Sequence, residues 1–141
     1  MISNPDIIRA LNDLRGKDGI ILPAQVVEAA RDADSPLHDH FEWDDTDAAE
    51  KYRLDQARYL LRVTVLVLPG TVKQTHAFVS LSTETGYRSM NDVVVNVKHR
   101  NQLVLDAQRD LQIFAARYES LAEVRDLLTV IRAALKKMRA A

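Results

Sequence analysis

A mainly α chain with one β-hairpin, an α+β class, is predicted by three features of these 141 residues. Apolar residues recur at helical spacing in several separate stretches. One β-branched run, Val63–Leu68, is closed by Pro69-Gly70 and followed by an alternating segment, the pattern of a hairpin. From Tyr87 to Ala141 there is neither Gly nor Pro, as a long helical segment requires. The expected organisation is a head over residues 1–86, with the hairpin at about 63–82, and an amphipathic helical tail over 87–141.

The first helix opens at Asn4-Pro5-Asp6, which offers an N-cap, a Pro in the first turn and an acid beside the positive helix end. Ile7, Ile8, Leu11 and Leu14 form its apolar side, and Gly16 ends it. Ile20-Ile21-Leu22 is a short edge strand. Pro23 starts a second helix, with Val26, Val27, Ala29 and Ala30 turned inward, and Ser35-Pro36 stops it. After a loop of about ten residues, Asp44, Asp45 or Thr46 caps a third helix expected from about Asp45 to Leu61, with Ala49, Tyr52, Leu54, Ala57, Leu60 and Leu61 on its broad apolar side. Thr75–Ser82 is the return strand of the hairpin, whose tip lies near Gly70–Gln74, and Thr83–Gly86 is a loop. Val93-Val94-Val95 is β-prone and sits oddly in a helical segment.

In the tail, Leu111, Phe114, Tyr118, Leu121, Leu128, Ile131 and Leu135 keep a heptad-like rhythm. Ser120 followed by Glu123 is a capping-box pattern, so two helices meeting near Glu119–Ser120 are favoured over one long rod. A helical hairpin can cover its own seam, whereas a single rod must find a partner; a homo-oligomer is the expected state, with those seven residues as its oligomerisation seam.

Composition narrows the function classes. The chain is 47% hydrophobic and 28% charged, with net charge −1, which excludes a uniformly basic nucleic-acid coat. The charge is polarised: residues 1–85 sum to −5 and residues 86–141 to +4. No apolar run reaches the ~18 residues of a membrane span, and the N-terminus lacks the basic and apolar regions of a signal peptide. With no Cys, thiol nucleophiles and disulfides are excluded, and the expected location is the cytoplasm.

The order helix, short strand, helix, helix, hairpin is that of a winged helix-turn-helix head. On that reading the third helix is the recognition helix and Pro69–Gln74 the wing. Double-stranded DNA is then the expected partner, met by Lys51, Arg53, Gln56, Arg58, Arg62 and Lys73. The acidic start of that helix repels phosphate, and Glu50 or Asp55 can neutralise the arginines within the helix. His38, His40, Glu42, Asp44 and Asp45 resemble metal ligands in type, but no HExxH or calcium-loop pattern is present. The plainer expectation has Phe41 and Trp43 turned inward and the residues between them in water. Ser80, Ser82, Thr83, Thr85, Tyr87 and Arg88 combine hydroxyls with a guanidinium, which suits phosphate, yet no Gly-rich phosphate loop or nucleophile signature accompanies them. Arg132, Lys136 and Lys137 give the tail a basic end, which the helix dipole also favours. No catalytic residue, metal site or cofactor is expected, and the chain is not expected to be an enzyme; the lesser alternative is a metal-dependent enzyme that uses His38 and His40.

Two stretches, SPLHDHFEWDDTDAAEKYRLDQARYLLR (35–62) and VSLSTETGYRSMNDVV (79–94), resemble small proteins encoded by phages and prophages of bacteria, in which an FEWDD segment leads into AAxxYRxxQAR and a later SLS segment precedes GYR. The resemblance implies a phage-type context and carries no site residue with it. The expectation is a non-enzymatic, phage-type DNA-associated protein acting in regulation, replication or packaging. The alternative is a protein-interaction or virion-assembly module that binds a phage or host protein and no nucleic acid.

Overall fold

The computed structural model describes residues 1–44 and 47–140, so the caps expected at Asp45 and Thr46 lie outside the described residues. The fold is α+β, with helices predominating and two small antiparallel sheets. In α1 (Pro5–Asp13) the Asn4 side chain accepts the Asp6 N–H at 2.9 Å, and Ile7 and Leu11 are buried. A turn at Gly16–Gly19 leads into β1 (Ile20–Ile21). In α2 (Pro23–Ala30) Gln25 reaches back to accept the Leu22 N–H at 3.1 Å, while Val26, Val27 and Ala30 face the core. A single 3-10 turn, His38–His40, interrupts the loop before α3 (Asp47–Val63).

Helix α3 is the centre of the head. It packs on α2, and its Ala57, Leu60 and Leu61 join Ile7, Leu11, Val27 and Phe41 in one core. Burying each of the large aliphatic side chains contributes roughly 1.5–3 kcal/mol. The N-terminus is sewn to the end of α3: Ile2 N–H donates to the Val63 carbonyl at 3.0 Å, and Val65 N–H donates to Ile2 at 2.7 Å.

The hairpin departs from the expected one. Strand β2 (Val65–Val67) pairs with β3 (Gln74–His76), but the expected return strand Thr75–Ser82 is divided between two sheets. The chain breaks step at Ala77, whose N–H donates to the Thr64 carbonyl at 2.9 Å and whose carbonyl accepts from Met90 N–H at 2.8 Å. Ala77 is fully buried. Beyond it, β4 (Phe78–Val79) pairs with β5 (Tyr87–Ser89), and β5 pairs with β1, giving a three-stranded antiparallel sheet of order β1-β5-β4. The segment expected to be helical from Tyr87 therefore begins as a strand. Residue 86, the expected boundary, lies in the loop between β4 and β5.

Helix α4 (Met90–Val95) takes up the β-prone valines. Val93 is buried there and Val95 is exposed. The Asn96 side chain accepts the His99 N–H at 3.1 Å and starts α5 (Val97–Arg117). A turn at Tyr118–Leu121 and a 3-10 segment, Ala122–Val124, lead to α6 (Arg125–Ala140), which packs on α5. Ser120 lies in the turn and does not cap α6. Ala115, Leu128 and Leu135 are buried where the two helices meet. Among the described residues no helix is long and apolar enough to cross a membrane.

Two buried charges fasten the loops. The guanidinium of Arg88 is held by both carboxylate oxygens of Glu84 and by the Asp18 carbonyl, tying the Gly16–Gly19 turn to the β4–β5 loop. That loop is in turn fixed to α5 by Asp106, which accepts from the Ser82 N–H at 2.9 Å, from the Ser82 hydroxyl, and from Gln102 at 3.0 Å. Burial pushes the Asp106 carboxyl up, but the hydrogen bonds from Ser82 and Gln102 and the nearby Arg109 outweigh it and hold the group below its ordinary value. A carboxyl lowered on folding stabilises the fold above its unfolded value of about 3.9, and that contribution disappears as pH falls through the folded value. The Asp106→Asn chain is therefore expected to be less stable than the parent at pH 7. The difference should shrink as pH falls below the unfolded value of about 3.9, as read from urea midpoints across the pH range.

Candidate nucleic-acid interface

The side of α3 turned away from the core is built by spacing alone. Lys51, Asp55, Arg58 and Arg62 follow one another by four, three and four residues, which sets them in a line on one helix face about 16 Å long. Tyr52 and Tyr59, seven residues apart, flank that line and are 56% and 59% exposed. Tyr52, expected on the apolar side, stands instead beside the cations. With His40 and Ile2, the tyrosines, Asp55, Gln56 and Arg62 line an open cleft of 460 Å³.

The charges on this face are loosely held. Arg58 pairs with Asp55 at 2.8 Å, an exposed contact worth roughly 0–1 kcal/mol and readily exchanged. Lys51 and Arg62 form no ion pair with any described residue. Lys73 stands apart, at the tip of the β2–β3 hairpin, where a separate shallow cleft is lined by Leu68, Val72 and Thr75 among others. The hairpin is fastened to α3 by His76, whose Nδ1–H donates to the Arg62 carbonyl at 2.9 Å.

Arg53 does not belong to this face. Its side chain is 5% exposed, and the guanidinium donates to the carbonyls of Glu42 and Asp44, both at 2.9 Å, and to Glu50 at 3.0 Å. It also stacks on Trp43, 5.2 Å from the ring centroid. Trp43 is itself fixed: its Nε1–H donates to the His38 carbonyl at 3.0 Å, and its ring lies stacked on that of His38 at 5.1 Å. Gln56 is half-buried, accepting the Glu42 N–H at 3.1 Å. Arg53 and Gln56 thus serve the loop that precedes α3, clamping it to the helix, and neither is available to a ligand in the way Lys51 and Arg62 are.

The other constellations have structural occupations. His38 donates from Nδ1 to the Ala30 carbonyl at 2.8 Å, and Phe41 is buried while Glu42 is exposed. Among the described residues no three His, Asp or Glu side chains converge as a metal ion would require; Asp45 lies outside them. In the hydroxyl-rich segment Arg88 is buried and neutralised by Glu84, so it presents no cation to a phosphate.

The seam residues divide. Leu128 and Leu135 are buried, on the helix that packs against α5. Leu111, Tyr118 and Ile131 are half-buried, whereas Phe114 and Leu121 are exposed, with the Phe114 and Tyr118 rings 4.9 Å apart. Arg132 reaches Glu119 at 3.8 Å, and Lys136 and Lys137 are exposed. The sequence offers Tyr52, Arg53, Gln56 and Arg58 as a polar face for a partner or phosphate; the structure leaves Tyr52 and Arg58 exposed, buries Arg53 and adds Tyr59, whose seven-residue spacing from Tyr52 is the signal for a shared face. No protein-family model, no curated protein and no solved structure matches the chain.

Proposed function

We propose that the chain is a non-enzymatic, DNA-associated protein that lays the outer face of α3 along duplex phosphates. The observation that carries this reading is the exposed line of Lys51, Asp55, Arg58 and Arg62, three cations to one acid, with Tyr52 and Tyr59 beside it. Cations and tyrosine hydroxyls are the groups that hold phosphate oxygens and set a helix on a duplex. The order α1-β1-α2-α3, followed by strands that close back on β1, supports a winged helix-turn-helix-like head. On this reading the wing is the β4–β5 loop at Ser80–Gly86, not Pro69–Gln74. The acids Asp39, Glu42 and Asp44 ahead of α3 keep phosphate from its first turn and leave contact to the last three. Such contact positions more than it specifies, so binding is expected to be salt-sensitive and weakly sequence-selective. The phage-type context implied by the FEWDD resemblance fits a role in regulation, replication or packaging.

The test is a duplex titration followed by fluorescence anisotropy. Replacing Lys51, Arg58 and Arg62 together by Ala is expected to weaken binding at least tenfold and to flatten its salt dependence by about three contacts. The fold should persist, since all three are exposed. Equal affinity for parent and variant would move DNA contact off α3.

The protein-interaction or assembly reading is favoured by a different observation: α5 and α6 leave Leu105, Ile113, Leu127 and Val130 half or more exposed. The two readings concern different elements and are compatible.

A further inference from the structure

Helix α6 carries more apolar surface than α5 covers. Leu128 and Leu135 fill the contact with α5. A second stripe, Leu127, Val130, Ala134 and Met138, advances by three, four and four residues along an adjoining side of the same helix. Val130 is 65% exposed and Leu127 51%. Four apolar positions in register on one 16-residue helix form a ridge suited to another helix, with Ala134 allowing close approach at its middle.

The charges beside the stripe say which helix. Glu123 and Asp126 stand at its N-terminal end, and Lys136 and Lys137 at its C-terminal end. None of the four forms an ion pair with another described residue. A parallel copy would set acid against acid and lysine against lysine. An antiparallel copy sets Asp126 of each chain against Lys137 of the other, twice over, and opposes the two helix dipoles favourably. The midpoint between Asp126 and Lys137 falls next to Val130–Ala134, the centre of the apolar stripe. Apolar pattern and charge pattern therefore share one two-fold axis.

We propose that this face of α6 binds a second copy of the chain, antiparallel, as a two-fold dimer centred on Val130 and Ala134. The inference stands apart from the DNA reading, because it uses neither α3 nor its cations. One helix face offers less than the ~800 Å² per partner of a standard interface, so the dissociation constant is expected in the micromolar range.

The chain has no Cys, so single cysteines report without background. In the antiparallel pair the two copies of residue 130 lie about 5 Å apart along the axis and the two copies of residue 138 about 20 Å apart. Under mild oxidation Val130→Cys is expected to give a covalent dimer and Met138→Cys to remain single. Sedimentation of the intact chain between about 5 and 500 μM should show a reversible dimer, lost in Val130→Asp with helix content unchanged. Asp126→Lys should weaken the dimer roughly three- to tenfold, and Asp126→Lys with Lys137→Asp should restore it. Cross-linking at both positions would mean a parallel pair and overturn the proposal. So would a monomer throughout the range, or a dimer indifferent to Val130→Asp.

Discussion

Replacing Arg53 by Ala is expected to cost about 3–5 kcal/mol of stability, close to the whole margin of many domains of this size. The guanidinium is buried, and its partners among the described residues include the carbonyls of Glu42 and Asp44, the Glu50 carboxylate and the Trp43 ring. Its removal leaves two backbone acceptors of the loop without a donor, each at roughly 1–3 kcal/mol, and opens a space beside the only Trp. Lysine keeps the charge but not the planar fork, so Arg53→Lys should recover only part of the loss. Urea unfolding followed by Trp43 fluorescence reads both effects. The midpoint falls, and the native emission shifts to the red as water reaches the ring. An Arg53→Ala chain as stable as its parent would show that the loop is held without the clamp.

Gly86→Ala is expected to be nearly as damaging, at about 2–5 kcal/mol, for a backbone reason. Gly86 has φ +94°, and an added Cβ would lie 2.8 Å from the Ile21 carbonyl oxygen and 2.7 Å from Ile20 Cγ2. The residue both turns the chain in a region closed to other amino acids and lets β5 approach β1. Gly70 separates the two causes. Its φ is +79°, but nothing lies within 4 Å of an added Cβ. Gly70→Ala should therefore cost only the conformational strain, about 1–2 kcal/mol. Similar losses at both glycines would remove the steric argument for Gly86.

Local chemistry was legible along much of the chain. Asn4-Pro5 and Pro23 marked helix starts, the alanine–leucine periodicity of α3 marked its inner side, and Pro69-Gly70 marked a turn. What escaped depends on partners distant in sequence. The alternation through Thr75–Ser82 runs smoothly across Ala77, and nothing local says that the ladder changes from β2 to β5 there. Tyr87–Ser89 lacks Gly and Pro and so passes for helix, yet pairing with Ile20–Ile21, nearly 70 residues earlier, makes it a strand.

The candidate site shows the same limit at side-chain level. Arg53, Arg58 and Arg62 read alike as helix cations. Only the loop folded over α3 distinguishes them, by enclosing Arg53 and leaving the other two in water. In α6 the apolar residues form one broad side in sequence. The packing of α5 assigns Leu128 and Leu135 to the interior and leaves Leu127 and Val130 outside.

We have proposed that the outer face of α3 holds duplex phosphates. The most direct measurement is the affinity of the intact chain for a duplex at a series of salt concentrations. A straight fall of log K with log salt, with a slope near −3 per bound chain, is the expected result for contacts by Lys51, Arg58 and Arg62. No measurable binding at 50 mM salt, or binding indifferent to salt, would contradict it.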